Sequence, residues 1–179
     1  MSYKSELDRA MHTLAADPTV CFIGYNCCPA GGSAGGSLKG ISEDQIFEMP
    51  LAENLMTGAA IGMALDGRIP VLWFERADFL FCAMDAIVNH LNQLSALSQG
   101  QHNPGVIIRV CVGNKNAPLF TGPTHTQNPY EALLKLVQFP VYQIAKIANI
   151  EVFYRWALES AKKGKSTLII EEKDRYNEV

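Results

Sequence analysis

The chain contains 179 residues, of which 48% are hydrophobic and 18% are charged, and its formal net charge is −3. This length predicts a single domain spanning 1–179, and the composition excludes a disordered or fibrous chain. Because the charge is nearly balanced and no long block of one sign occurs, nucleic acid and an anionic membrane are excluded as default partners.

The sequence also argues against membrane insertion and disulfide scaffolding. Its longest apolar stretches, such as 59–65, are much shorter than the roughly 20 residues that span a bilayer, and residues 1–9 lack the apolar core of a signal peptide. The five cysteines show no paired C-x-x-C spacing, so neither a zinc site nor a disulfide framework is indicated. We therefore expect a cytoplasmic protein with reduced cysteines.

Strand and helix patterns alternate along the chain. In chain order the predicted elements are helix 3–16, strand 19–24, strand 45–48, helix 51–65, strand 70–75, helix 78–97, strand 105–111, helix 129–138, strand 140–145, helix 149–163 and strand 166–171. This alternation predicts a three-layer α/β/α domain with a mostly parallel, six-stranded sheet. Functional residues are then expected beyond the carboxyl ends of the strands.

One long irregular segment, 27–44, contains a run rich in glycine and serine. It predicts a flexible loop near the active region. The run matches neither G-x-x-x-x-G-K-[ST] nor G-x-G-x-x-G, which disfavours a self-contained nucleotide site.

Three residues at predicted strand ends are candidates for chemistry. Glu53 lies in the first turn of a helix, where the helix dipole stabilises a carboxylate by about 0.3–1 kcal/mol, so simple capping also explains it. Phe79 follows the third strand, where an aromatic side chain usually belongs to the core. His125 precedes the helix start at 128–129 and is the histidine placed like a catalytic residue. Position alone leaves both interpretations of each residue open.

A longer series of motifs resembles a known family. The motifs, in chain order, are PLAEN at 50–54, TGAAIGMA at 57–64, GRIPV at 67–71, ADF at 77–79, DAIVN at 85–89, the strand segment 107–113 and HTQNPYEA at 125–132. They resemble the pyrimidine-binding domain of thiamine diphosphate enzymes of the transketolase and 2-oxo acid dehydrogenase type. The most similar branch is the β-subunit of the two-chain decarboxylase component.

The resemblance implies a role for each candidate. Glu53 matches the glutamate that hydrogen-bonds ring nitrogen 1′ of the cofactor's aminopyrimidine, favouring the imino tautomer whose 4′-nitrogen removes the thiazolium proton. Phe79 matches the aromatic residue that stacks on the pyrimidine, and a flat apolar ring suits that role. His125 matches a histidine near the reacting centre, where it holds the substrate or intermediate and moves protons.

The resemblance also implies a partner. Relatives bind magnesium and diphosphate through a Gly-Asp-Gly motif followed by Asn on a separate domain, whereas this chain has only Leu-Asp-Gly-Arg at 65–68. We therefore expect a heterotetramer in which a partner subunit supplies the Mg²⁺ and diphosphate site and this chain supplies Glu53 and Phe79. Because the sequence ends at Val179, the resemblance leads us to expect a subunit that lacks the further C-terminal domain of such β-subunits.

The expected activity is decarboxylation of a 2-oxo acid with transfer of the acyl or aldehyde unit. Two alternatives remain: ketol transfer from a ketose, as in transketolase, and a non-catalytic interaction module that retains the fold. Two departures from the family favour the second alternative: Tyr25 and Asn26 follow Gly24 where relatives usually carry acidic residues, and the C-terminal domain is expected to be missing. The retention of Glu53, Phe79 and His125 together disfavours it.

Overall fold

The computed structural model describes residues 2–28, 36–113, 122–144 and 149–177. Residues 29–35 of the predicted loop 27–44, which include much of its glycine-rich run, lie outside the described residues. The helices are α1 (Tyr3–Ala15), α2 (Glu53–Leu65), α3 (Leu94–Leu97), α4 (Tyr130–Leu136) and α5 (Ile150–Ala161). The strands are β1 (Val20–Gly24), β2 (Ile46–Glu48), β3 (Ile69–Phe74), β4 (Ile107–Val112), β5 (Val141–Gln143) and β6 (Thr167–Glu172).

The six strands form one parallel sheet in the order β2-β1-β3-β4-β6-β5. This arrangement confirms the predicted α/β fold with its parallel sheet. The chain leaves β1 toward β2 on one side and leaves β3 toward β4 on the other, so the strand order reverses between β1 and β3. In open α/β sheets, ligands bind outside the carboxyl ends of the strands at such a point.

Two apolar clusters, one on each face, hold the layers to the sheet. Helices α1 and α5 pack together, and Leu7, Met11 and Tyr154 from them join one cluster. On the opposite face, Met56 of α2 and Leu133 of α4 join a second cluster. Strands β3 and β4 are buried along their whole length because both of their faces are covered.

The prediction of one continuous helix over 78–97 is wrong. The segment consists of a 3₁₀ helix at Ala77–Ala83, a π-helix at Ala86–Leu91 and the short α3. The side-chain oxygen Oδ1 of Asn54 accepts the backbone N–H of Ala86 at 3.2 Å. A regular helix needs that N–H for its own i to i−4 ladder, so this bond interrupts the helix and ties it to the start of α2.

Within the part of the chain that the structure describes, no helix is both long enough and apolar enough to cross a membrane.

Candidate active site

The candidate site lies at the carboxyl edge of the sheet, beside the point where the strand order reverses. Tyr25 follows β1, Glu53 begins α2 shortly after β2, and Phe79 lies in the 3₁₀ helix after β3. His125 ends a second 3₁₀ helix, Gly122–His125, in the connection that follows β4. The parallel topology therefore brings together residues that are up to 100 positions apart in sequence.

Phe79 occupies the centre of this group. Its half-buried ring contacts the His125 ring edge to face, with centroids 5.1 Å apart and planes at 89°. On another side it packs against the Tyr25 ring at 6.3 Å with a tilt of 54°. The structure thus places the rings of Phe79 and His125 in direct contact. The sequence alone did not predict this contact. A half-buried aromatic face flanked by two other rings suits a flat heteroaromatic ligand.

Glu53 lies in the first turn of α2, as predicted, although the helix begins at Glu53 itself and not at residue 51; its side chain is half-buried. Among the described residues its carboxylate accepts no hydrogen bond and forms no ion pair. The carboxylate is linked to the aromatic group electrostatically, because it raises the pKa of Tyr25, after the larger effects of burial and of Glu75. A half-buried carboxylate with no described hydrogen-bond or ion-pair partner is suited to share a proton with a ligand nitrogen.

His125 is held by its neighbour and by a glycine. Thr124 Oγ1 lies 2.9 Å from His125 Nδ1, which leaves Nε2 as the ring nitrogen that can reach a substrate. The backbone oxygen of His125 occupies the space beside Gly113 at the end of β4. An ideal Cβ at Gly113 would lie 1.9 Å from that oxygen, so only glycine permits this approach.

Replacing Gly113 by alanine is expected to displace the turn that carries His125. Because backbone atoms provide the obstruction, the substitution should lower the free energy of unfolding by about 1–3 kcal/mol and shift the His125 NMR resonances. Urea unfolding and ¹H–¹⁵N spectra measure the two effects. The control is Gly62→Ala, a helical position with open space, where stability should rise by about 0.5–1 kcal/mol. Unchanged His125 resonances in Gly113→Ala would contradict the argument.

Sequence reasoning missed the buried polar atoms beside the site. Tyr25 Oη, Arg76 Nε and both carboxylate oxygens of Asp78 are buried without a hydrogen-bond partner among the described residues. Arg76 uses Nη1 to reach the Glu75 carboxylate at 3.0 Å. Buried polar groups are usually paired, so unpaired ones at the edge of a candidate site point to a missing ligand, partner or water. In the sequence, the one sign of these buried polar atoms was the departure from the family pattern at Tyr25 and Asn26.

Other potential sites lie apart from this group. A groove of about 660 Å³, with Asn103, Trp156 and Lys163 in its wall, lies at the amino ends of the strands and includes no candidate residue. All five cysteines are free, and burial raises the pKa of Cys27 and of Cys111 to about 12, which makes these two unreactive as thiolates. Among the described residues, no His, Cys, Asp and Glu side chains cluster in a way that could hold a metal ion.

Comparison with known proteins agrees with the family resemblance of the sequence motifs. Residues 2–178 match the family described as transketolase, pyrimidine binding domain. The chain is 31% identical over 108 residues to the 3-methyl-2-oxobutanoate dehydrogenase subunit beta of Mycobacterium tuberculosis, covering 58% of this chain and 31% of that protein. It is 35% identical over 97 residues to the pyruvate dehydrogenase E1 component subunit beta-4, chloroplastic, of Oryza sativa subsp. japonica, covering 52% of this chain and 24% of that protein.

Solved structures share the fold at low sequence identity. A split gene transketolase, described as an inactive beta4 tetramer, superposes with a TM-score of 0.71 at 17% identity, over 97% of this chain and 52% of that one. A putative thiamin diphosphate-dependent enzyme from Mycobacterium smegmatis gives 0.69 at 14% identity, over 96% of this chain and 31% of that one.

The parallel sheet and the sequence match together define an α/β pyrimidine-binding domain. The chain belongs to the transketolase pyrimidine-binding domain family, as the motifs indicated. It spans about a third of the mycobacterial relative and about a quarter of the rice relative.

Proposed function

We propose that this chain is the pyrimidine-binding subunit of a split thiamine diphosphate-dependent enzyme that decarboxylates a 2-oxo acid and transfers the resulting acyl or aldehyde unit. The observation that carries the proposal is the group formed by Phe79, His125 and Tyr25 beside an uncommitted Glu53 carboxylate. A flat ring, an available carboxylate and a histidine provide the stacking surface, proton site and substrate contact that an aminopyrimidine cofactor needs.

Each residue has a task that the described geometry permits. Phe79 stacks on the pyrimidine, and Glu53 holds a proton between its carboxylate and a ring nitrogen. His125, with Nδ1 facing Thr124, uses Nε2 to bind the substrate or to move a proton. When bound, thiamine diphosphate supplies the stabilised carbanion chemistry required for cleavage of the bond next to a carbonyl group.

The surface next to Glu53 supports the proposal of a partner subunit. Helix α2 is apolar on more than its buried face. An outward stripe of apolar or small residues starts at Leu51, just before the helix, and includes Leu55 of α2; these two leucines are 71% and 57% exposed. The stripe continues through Gly58, Gly62 and Leu65, which are also exposed. An exposed apolar stripe of this kind marks a protein interface, and this one begins at the proposed catalytic carboxylate.

We propose that the partner covers this stripe and holds the diphosphate and Mg²⁺ through a Gly-Asp-Gly domain, in a heterotetramer located in the cytoplasm. The relatives named as beta subunits support a multi-chain enzyme. The word chloroplastic in the name of the rice relative describes that protein and not this chain. Cell fractionation tests the compartment of this chain.

The test is co-purification of the chain with a Gly-Asp-Gly partner, followed by calorimetry with thiamine diphosphate and Mg²⁺. We expect binding by the mixture and none by either chain alone. Leu55→Glu should abolish co-purification because it places a charge in the apolar interface, while the variant remains folded by circular dichroism. Leu97→Glu, at another exposed leucine outside α2, is the matched control and should assemble normally.

Three outcomes count against this proposal. Full binding by the isolated chain would contradict the shared site, and assembly of Leu55→Glu would contradict the interface. No cofactor binding by the mixture would favour the non-catalytic module. Given binding, product analysis separates the remaining alternatives: turnover of 2-oxo acids supports the proposal, and turnover of ketose phosphates alone supports ketol transfer.

A further inference from the structure

The residue that follows β1 carries a buried hydroxyl whose proton has no acceptor among the described residues. Tyr25 is 7% exposed, and its Oη has no hydrogen-bond partner among the described residues. The backbone N–H of Glu75 faces this oxygen outside ordinary hydrogen-bond geometry, and as a donor it cannot accept the hydroxyl proton. A buried donor left unpaired costs free energy, so the hydroxyl points to an acceptor other than the described residues.

The charges around Tyr25 keep this hydroxyl protonated. Burial has the largest effect and raises the pKa of Tyr25, and the carboxylates of Glu75 and Glu53 raise it further. The Arg76 guanidinium opposes them with a smaller effect. Tyr25 is therefore a neutral donor at physiological pH, next to the carboxylate proposed to bind the ligand.

Hydrogen bonds hold the backbone turn that follows Tyr25. The Glu48 carboxylate accepts the backbone N–H groups of residues 26–28 at 2.6, 2.8 and 2.8 Å. Asn26 adopts a left-handed conformation with a φ of 56°, which asparagine tolerates better than most residues. The turn is thus fixed, and the phenol ring remains packed against Phe79.

We infer that the Tyr25 hydroxyl donates a hydrogen bond to an acceptor nitrogen of the aminopyrimidine ring that Glu53 and Phe79 hold, an inference that rests on the proposed function. Ring nitrogens of a pyrimidine accept hydrogen bonds, so a neutral phenol can bind one where an ionised carboxylate cannot. The tyrosine therefore gives the site a ligand-binding donor at a position where relatives carry acidic residues.

The test compares wild type with Tyr25→Phe, which removes the hydroxyl and keeps the ring. In the free chain the variant removes an unpaired buried donor, so its melting temperature should rise by about 2–4 °C. In the complex with the diphosphate-binding partner, calorimetry with thiamine diphosphate and Mg²⁺ should show about two- to ten-fold weaker binding. A purely structural hydroxyl would not change stability and affinity in these opposite senses.

The control is Tyr142→Phe, because the Tyr142 ring packs against Phe153 and Trp156, away from the site. It should leave the affinity for thiamine diphosphate unchanged. Equal affinity in wild type and Tyr25→Phe, or a lower melting temperature in Tyr25→Phe, overturns the role of the hydroxyl while the proposed function stands. Failure of the wild-type complex to bind thiamine diphosphate overturns the proposed function and this inference with it.

Discussion

Glu53→Gln is expected to lower turnover of the assembled enzyme by about 10²–10⁴-fold, the usual contribution of a positioned acid or base. Glutamine keeps the size and hydrogen-bonding capacity of the side chain, but it cannot hold an acidic proton. Because the Glu53 carboxylate forms no described hydrogen bond or ion pair within the chain, its replacement should leave folding intact. Steady-state turnover of a 2-oxo acid measures the first effect, and size-exclusion chromatography with the partner measures assembly.

The matched control for this substitution is Glu131→Gln. Glu131 also lies in the first turn of a helix, α4, but it is exposed and belongs to no candidate site. If the Glu53 carboxylate only stabilised the helix through its dipole, the two substitutions would have similar small effects on stability and none on turnover. Turnover of Glu53→Gln within a few-fold of wild type would remove Glu53 from the mechanism and return it to simple capping.

The order of elements could be predicted because buried parallel strands and amphipathic helices leave local patterns. The run at 107–112 is apolar or β-branched apart from Arg109, and the structure buries all of it in β4. A helix after Pro50 was likewise visible from the change of periodicity, although α2 begins at Glu53 and not at the predicted residue 51. The type of helix over 78–97 could not be predicted from the local sequence. It involves a hydrogen bond from the backbone N–H of Ala86 to the side chain of Asn54, which is distant in sequence.

The candidate site was predictable as separate residues but not as an arrangement. The motifs indicated Glu53, Phe79 and His125, whereas the contact of Tyr25 with Phe79 depends on two strands meeting in the sheet. The Glu48 carboxylate that fixes the turn at 26–28 follows from the same pairing, since Gly24 and Glu48 lie side by side in β1 and β2. Contacts of this kind leave no local pattern in a single sequence.

A second non-local feature is an ion pair in the interior of the sheet. Arg109 of β4 is 1% exposed, and its Nε and Nη2 donate to the two carboxylate oxygens of Glu171 at 2.7 and 3.1 Å. Glu171 also accepts hydrogen bonds from the hydroxyls of Tyr154 and Tyr176. The Arg109 guanidinium stacks 4.6 Å above the Trp73 ring. Four donor atoms from three side chains therefore converge on this carboxylate.

The charges of this pair depend on each other. Burial is the largest single effect and would lower the pKa of Arg109, but the Glu171 carboxylate together with Tyr154 and Tyr176 outweighs it, so that the pKa lies well above its ordinary value. Nη1 of Arg109 donates to Ser37 Oγ at 2.7 Å, which attaches the segment after the glycine-rich run to the sheet. Loss of either charge would leave the other buried without its counter-ion, and such a loss is far more costly than loss of a surface pair.

Arg109→Met is therefore expected to lower the free energy of unfolding by about 3–5 kcal/mol, measured by urea unfolding followed by circular dichroism. The double variant Arg109→Met/Glu171→Leu should recover much of this loss, because it removes the uncompensated carboxylate as well. Arg109→Lys, which keeps the charge but loses the two-pronged geometry, should fall between wild type and Arg109→Met and remain measurable if Arg109→Met does not fold.

The control for this series is Lys4→Met, which breaks an exposed pair with Asp8 at 3.0 Å. Exposed pairs of this type contribute little to stability, so its unfolding curve should nearly overlay that of wild type. If Arg109→Met cost no more than Lys4→Met, the buried charges would be solvated by other means, and the Arg109–Glu171 pair would not hold the sheet together. If the double variant were as unstable as Arg109→Met, packing around Trp73 rather than charge pairing would explain the loss.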